Sequence, residues 1–266
     1  MRRLKKNLYT VLIIIFAAIF LVSAFIVGKY VIESKQAADL NNALADEVNK
    51  LQSSQTAPDQ SVTLPNSGDE LSANKVILSE YATLYLRNSD MVGWIKIDGT
   101  KINYPVMQTP NSKVYYLYRN FQKENSKHGS IYVREECDVF KPSDNLTIYG
   151  HHMKNGSMFA GLMNFRNYSF YQDHKYITFD TLVEHHTYEI FAAFTTTATM
   201  GQGFRYHDFI DAATEAEFDE FVSTCKELSH YNTGITPEYG DKLITLSTCE
   251  YSQRNGRLVI VAKRVI

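Results

Sequence analysis

Hydrophobic and polar positions divide the chain into three regimes. From Leu8 to Gly28 the sequence is almost unbroken in its apolar character, and it matches the ~20 residues a helix needs to cross a hydrocarbon core. Next comes "ESKQAADLNNALADEVNKLQSS", in which Leu40, Leu44, Val48 and Leu51 recur at helical spacing among charged residues. That pattern predicts a solvated juxtamembrane helix acting as a spacer. "QTAPDQSVTLPNSGDE" is poor in apolar residues and rich in Pro, Ser, Asn and Gly, which reads as a linker. The folded domain is expected to begin near Leu71.

Beyond that point the period changes. "NKVILSEYATLYLRNSD" keeps helical spacing. "MVGWIKI" and "KINYPVMQ" bracket the turn pair Asp98-Gly99, and "GSIYV", "LTIYG", "KYITFDT" and "TYEIFAAFTTT" are further short β-rich runs. "TEAEFDEFVSTCKELSH" is an amphipathic helix, opened by Thr214 with Glu217 three residues on as a capping box. "DKLITLSTC" and "RLVIVAKRV" close the chain as strands. Eight short strands with few helices predict a mainly β domain, a barrel or a sandwich with helical insertions. Trp94, the one tryptophan, is expected to anchor the core from the first strand.

Alternation along the last two strands places chemistry. Ile244, Leu246 and Thr248 share one face, and Thr245, Ser247 and Cys249 share the other. Leu258, Ile260 and Ala262 lie opposite Arg257. If the pair forms a hairpin through the loop ending in Asn255-Gly256, with both apolar faces inward, Cys249 and Arg257 meet at one end of the sheet on the outer face. A guanidinium beside a thiol favours the thiolate or an oxyanion formed after attack. A nucleophilic cysteine also calls for a proton carrier. Among eight histidines, His151 and His152 close the run "NLTIYGHH" at a strand terminus, as Cys249 does. Spacing does not choose between them. Neither does it indicate a metal, because neighbours on a strand point apart and no HExxH-like spacing follows.

Composition narrows the class. A net charge of -2 without a basic stripe argues against nucleic acid, despite 18 Tyr and 15 Phe. Three cysteines cannot close a disulfide framework. Cys225, near Phe218 and Phe221, has a packing setting, as is common for a free cysteine. Arg2, Arg3, Lys5 and Lys6 ahead of the apolar run put the N-terminus in the cytoplasm and the domain outside. Val22-Ser23-Ala24 resembles a signal-peptide cleavage site, but the apolar run continues to Val27, which favours an uncleaved anchor. The expected organisation is a cytoplasmic segment 1–7, a single-pass anchor 8–28, a juxtamembrane helix and linker 29–70, and an extracellular domain 71–266.

Several segments together resemble the class B sortases, exported cysteine transpeptidases of Gram-positive bacteria. "TLSTC" fits their TLxTC signature, "IYGHHMKNGSMF" their histidine segment and "GRLVIVAK" their terminal arginine strand. "MVGWIKIDGTKINYPVMQ" and "SKVYYLYRNFQKENSKHGSIYV" are also similar to class B sequences, so the resemblance covers roughly Leu71 to Ile266. It implies a closed β-barrel of about eight strands, with an N-terminal helix and a long helix before the cysteine strand. It implies Cys249 as nucleophile, His151 rather than His152 as general acid and base, and Arg257 rather than Arg254 as the oxyanion and substrate group. Tyr149, Ser247 and Glu250 match positions near the substrate groove. The implied partners are secreted proteins carrying a C-terminal NPxT-type sorting signal, a peptidoglycan crossbridge amine and the cytoplasmic membrane, with no cofactor and no metal. Three other readings compete: a pilin-polymerising sortase, a cell-wall cysteine peptidase and a non-catalytic membrane-anchored binding domain. Papain-like and NlpC/P60-type peptidases place the cysteine early, on a helix and before the histidine. Here the order is reversed and the cysteine follows a strand.

Overall fold

The computed structural model describes residues 2–53, 61–65, 75–109 and 112–266, with side chains from Tyr9 onward. The expected boundary at Leu71, and most of the expected linker, lie outside the described residues. The chain forms two compact units, Met1–Leu40 and Asn41–Ile266.

The segments expected as anchor and juxtamembrane helix fall within one helix, α1 (Arg2–Ser53). From Tyr9 it contains a stretch with a mean hydropathy of 3.1, long and apolar enough to cross a membrane. Its last turns differ from the expected solvated spacer. Leu44 and Val48 are 1% and 2% exposed, and Glu47 accepts a hydrogen bond from Arg87 at 2.7 Å. The apolar stripe is therefore used for packing, because burying each such side chain yields about 1.5–3 kcal/mol.

Arg87 ends α2 (Ser79–Arg87), which precedes β1 (Met91–Lys96) and β2 (Asn103–Met107). β3 (Ile131–Val133), β4 (Asn145–Tyr149), α3 (Tyr168–Asp173), β5 (Tyr176–Thr181), β6 (Thr187–Thr197), α4 (Glu215–Leu228), β7 (Leu243–Glu250) and β8 (Gly256–Arg264) follow. The strands close into a barrel in the order β1-β2-β3-β4-β7-β8-β6-β5. This resolves the choice between barrel and sandwich. Trp94 is buried, but it lies under α2, stacked on Tyr81 at 6.2 Å.

Period-2 alternation sorts the core into two layers. Leu146 and Ile148 of β4, Ile177 and Phe179 of β5, Ile244 and Leu246 of β7, and Leu258, Ile260 and Ala262 of β8 belong to one buried cluster. Val259 and Val261 of β8, with Phe191 and Phe194 of β6, belong to a second cluster with Phe218, Phe221, Val222 and Cys225 of α4. The long helix thus covers part of the outer surface of β6 and β8. Its start is capped as expected: Thr214 Oγ1 accepts from the Glu217 amide at 3.3 Å. Glu217 reaches back to the Ala213 amide at 2.8 Å.

Two barrel neighbours, β4 and β7, run parallel. Parallel neighbours require a long crossover, and the segment between Tyr149 and Leu243 provides it, carrying α3, β5, β6 and α4. Parallel pairing brings the C-terminal ends of β4 and β7 to the same rim of the barrel.

Candidate active site

That rim gathers the residues singled out from the sequence. Tyr149 of β4 pairs with Ser247 of β7. Cys249 pairs directly with Arg257 of β8, so the hairpin has the register expected from alternation. Side chains of directly opposed strand residues stand on the same face. Cys249 is half-buried, and it shares the outer face with Ser247 and Thr245.

His151 follows β4 through Gly150. A Cβ on Gly150 would stand 2.5 Å from Ile131 Cδ1 and 2.6 Å from Phe159 Cγ, so only glycine permits this close turn. Bonds from both sides fix the turn to β7: the Gly150 amide donates to Ser247 O at 3.2 Å, and Thr248 Oγ1 donates to Gly150 O at 2.8 Å. The His151 ring is held by its Nε2, 2.8 Å from the carbonyl oxygen of Leu117. A carbonyl only accepts, so Nε2 carries a proton. Nδ1 is then the nitrogen that gains and loses the second proton. Gly129, at φ +58, packs against the same carbonyl: a Cβ there would lie 2.5 Å from Leu117 O.

Arg257 Nη1 donates to Gly256 O at 2.9 Å and to Asn255 O at 3.3 Å. Asn255 itself adopts φ +54, the left-handed geometry that the turn into β8 needs and that asparagine tolerates. Arg254 is an exposed turn residue whose carbonyl accepts from Thr197 Oγ1.

Phenols surround the pair, and sequence reasoning passed over two of them. Tyr132 packs on Tyr149 with ring centroids 5.5 Å apart. Burial, with Glu135 adding and Arg257 opposing, pushes its hydroxyl up to about 12. Tyr206 Oη lies 2.6 Å from Ser247 Oγ. Burial raises Tyr206 and Tyr149 as well, so all three stay neutral hydrogen-bonding groups at physiological pH. Tyr149 also takes a hydrogen bond from Arg134. Burial, with help from Arg134, Arg205 and Arg257, lowers His207 against the opposing pull of Asp208. Tyr132 could have been found from alternation in "GSIYV". Leu117 could not, because it acts through its main chain.

The structure does not bring Glu250 into this group. It has the parity of Leu246 and Thr248, is 4% exposed, and is paired with Arg166 at 2.8 Å. Ser252 Oγ also donates to it at 2.7 Å. Its carboxylate turns to Arg166 and Ser252 instead of facing the thiol, because strand alternation sends neighbours to opposite faces. Tyr149 and Ser247 do lie beside Cys249 on the shared face.

The three cysteines are all free. Cys225 is fully buried in α4, and burial pushes its thiol well above the ordinary value. Cys137 is buried too, and burial raises it to about 11. Only Cys249 combines partial exposure with a facing guanidinium.

Comparisons with known proteins point to one family. Residues 95–265 match the model of the sortase domain. Sortase B of Staphylococcus aureus is 34% identical over 186 residues, covering 69% of this chain and 74% of that protein. Sortase B of Listeria monocytogenes is 28% identical over 265 residues, covering 99% of each chain. The solved Staphylococcus aureus sortase B–substrate complex superposes with a TM-score of 0.73 at 29% identity, covering 88% of this chain and 98% of that one.

Proposed function

The chain belongs to the sortase family and is a sortase B-type cysteine transpeptidase; from that premise we propose that Cys249, His151 and Arg257 join secreted proteins bearing an NPxT-type C-terminal sorting signal to a peptidoglycan crossbridge amine. The observation that carries the residue assignment is the meeting of the β4 and β7 ends, with Cys249 opposite Arg257.

The Cys249 thiolate attacks the carbonyl carbon of the signal's Thr. A C–S bond forms, and negative charge gathers on the former carbonyl oxygen. Arg257 stabilises that charge through its fork of N–H donors. His151, protonated at both ring nitrogens, gives its Nδ1 proton to the leaving amine as the C–N bond breaks, leaving a thioester. Nε2 stays on the Leu117 carbonyl throughout, which keeps the ring oriented. The crossbridge amine then attacks the thioester. Neutral His151 accepts the amine's proton at Nδ1, the C–S bond breaks, and the thiolate returns. The thioester conserves acyl reactivity, so the step needs no nucleotide. Tyr149, Ser247 and the neighbouring phenols line the peptide's path. The helix from Leu8 to Gly28 holds the enzyme in the cytoplasmic membrane, with the basic N-terminus inside and the barrel outside.

The full-length chain in detergent micelles, given NPQTN- and NPKTG-type peptides, should cleave after Thr and show an acyl mass increment on Cys249. Triglycine or a diaminopimelate-type amine should divert the product from hydrolysis to ligation. Turnover that survives Cys249→Ala would overturn the assignment. Cleavage without any ligated product would make the protein a peptidase.

A further inference from the structure

The histidine pair leaves one member unused by the proposed chemistry, and it touches the nucleophile's own backbone. His152 Nδ1 lies 2.9 Å from the carbonyl oxygen of Cys249. We propose that His152 is a positioning residue, which donates its Nδ1–H to the Cys249 carbonyl and holds the end of β7 so that the thiol stays in its attacking place.

The reason lies in how β4 stops. β7 is paired to β4 from Asn145↔Leu243 to Tyr149↔Ser247, and the last ladder bond runs from the Gly150 amide to Ser247 O. Carbonyls two residues apart on a strand point to the same side. The Cys249 carbonyl therefore faces the space where β4 would have continued. The chain has already turned away there, to place His151. A buried main-chain acceptor without a partner costs about 1–3 kcal/mol, and the His152 ring supplies the missing donor. A carbonyl accepts only, so the proton sits on Nδ1 in both the neutral and the charged ring.

His152 is itself fixed. Its backbone bridges to Met158, its ring packs on Tyr251 with centroids 5.1 Å apart, and its carbonyl accepts from Tyr251 Oη at 3.3 Å. The adjacent histidines are thus held by two carbonyls through opposite nitrogens. His151 is bound at Nε2 by Leu117, leaving Nδ1 for proton transfer. His152 is bound at Nδ1 by Cys249 and acts through the backbone.

The proposal rests on Cys249 being the nucleophile, and the test separates the two. Asparagine presents a donor close to the position of Nδ1, whereas glutamine presents one nearer Nε2. In the full-length protein, His152→Ala should lower kcat for peptide cleavage roughly 10- to 100-fold, since small misplacements of a reacting group have effects of that order. KM should change little. The rate of Cys249 alkylation by iodoacetamide, which needs no peptide, should fall in parallel. His152→Asn should recover most of both rates and His152→Gln little of either. Wild-type rates in His152→Ala, or equal rates in the Asn and Gln variants, would overturn the proposal. If His152→Ala does not fold, the Asn–Gln comparison decides alone. A wild-type enzyme that alkylates at Cys249 yet cleaves no sorting peptide would count against the sortase chemistry and leave the positioning role to be read from alkylation.

Discussion

Cys225 and Cys249 sit in two regions of one barrel, and their contrast separates packing from chemistry. Cys225 lies on the inner face of α4, fully buried among Phe218, Phe221 and Val222. Desolvation there opposes the thiolate. Cys249 lies one residue before the end of β7 on the outer face, half-buried, with Arg257 directly opposite and neutral phenols around it. Both side chains are thiols. What differs is which face of which element carries them, and whether a cation stands across the ladder.

The largest effect should come from removing the reactive member. Cys249→Ala should lower turnover by three orders of magnitude or more, as expected of a residue acting within a catalytic unit, while Cys225→Ala leaves kcat within about twofold. Peptide cleavage by both variants, side by side, checks the pair. Comparable losses would break the contrast.

Arg257 sharpens it next. Arg257→Ala should cost roughly 10²–10³-fold in kcat, the scale of a lost oxyanion donor. Arg257→Lys should recover only part of this, because an ammonium keeps the charge but not the planar fork. Full recovery by lysine would mean that charge alone matters.

Stability should show the reverse ranking. Cys225→Ser buries a hydroxyl among apolar groups and should lower unfolding stability by about 1–3 kcal/mol, measured by urea denaturation. Cys249→Ser, at the half-exposed rim, should change it by less than about 0.5 kcal/mol.

The smallest effect concerns acid. Burial opposes ionisation of Glu250, but the bonds from Ser252 and Arg166 outweigh it and hold the carboxyl below its ordinary value. Its contribution to stability is complete above the unfolded value of about 4.3. It is lost as pH falls from there through the folded value. Glu250→Gln should therefore flatten the acid limb of a melting-temperature profile below about pH 4.5. An unchanged limb would show that the Arg166 pairing does not stabilise the rim.

Much of this was legible in the chain itself, for local reasons. The 21 residues from Leu8 to Gly28 can hide their backbone only as a helix in an apolar medium. The short β-rich runs announced strands by their composition, and all eight form, although their closure into a barrel was not readable from the runs themselves. Parity placed Cys249 and Arg257 on one face at one end of a hairpin, and the register bears that out. Parity also turned Glu250 away from the thiol, yet the motif resemblance had set it near the groove. Helical spacing located Leu44 and Val48 but pointed to a spacer, because a stripe of so few turns does not show the partner that buries them.

The tertiary structure decided what depends on partners distant in sequence. Parallel pairing of β4 with β7, across the crossover from Gly150 to Lys242, is what brings the histidine segment to the cysteine. Long-range strand pairing leaves no mark in a local pattern, since each strand's alternation is the same whichever neighbour it finds. The division between His151 and His152 is likewise tertiary. Two identical adjacent rings differ only in that the Leu117 carbonyl meets one at Nε2 and the Cys249 carbonyl meets the other at Nδ1. Main-chain acceptors carry no side-chain signal, so the sequence specified the two rings and folding assigned them their separate work.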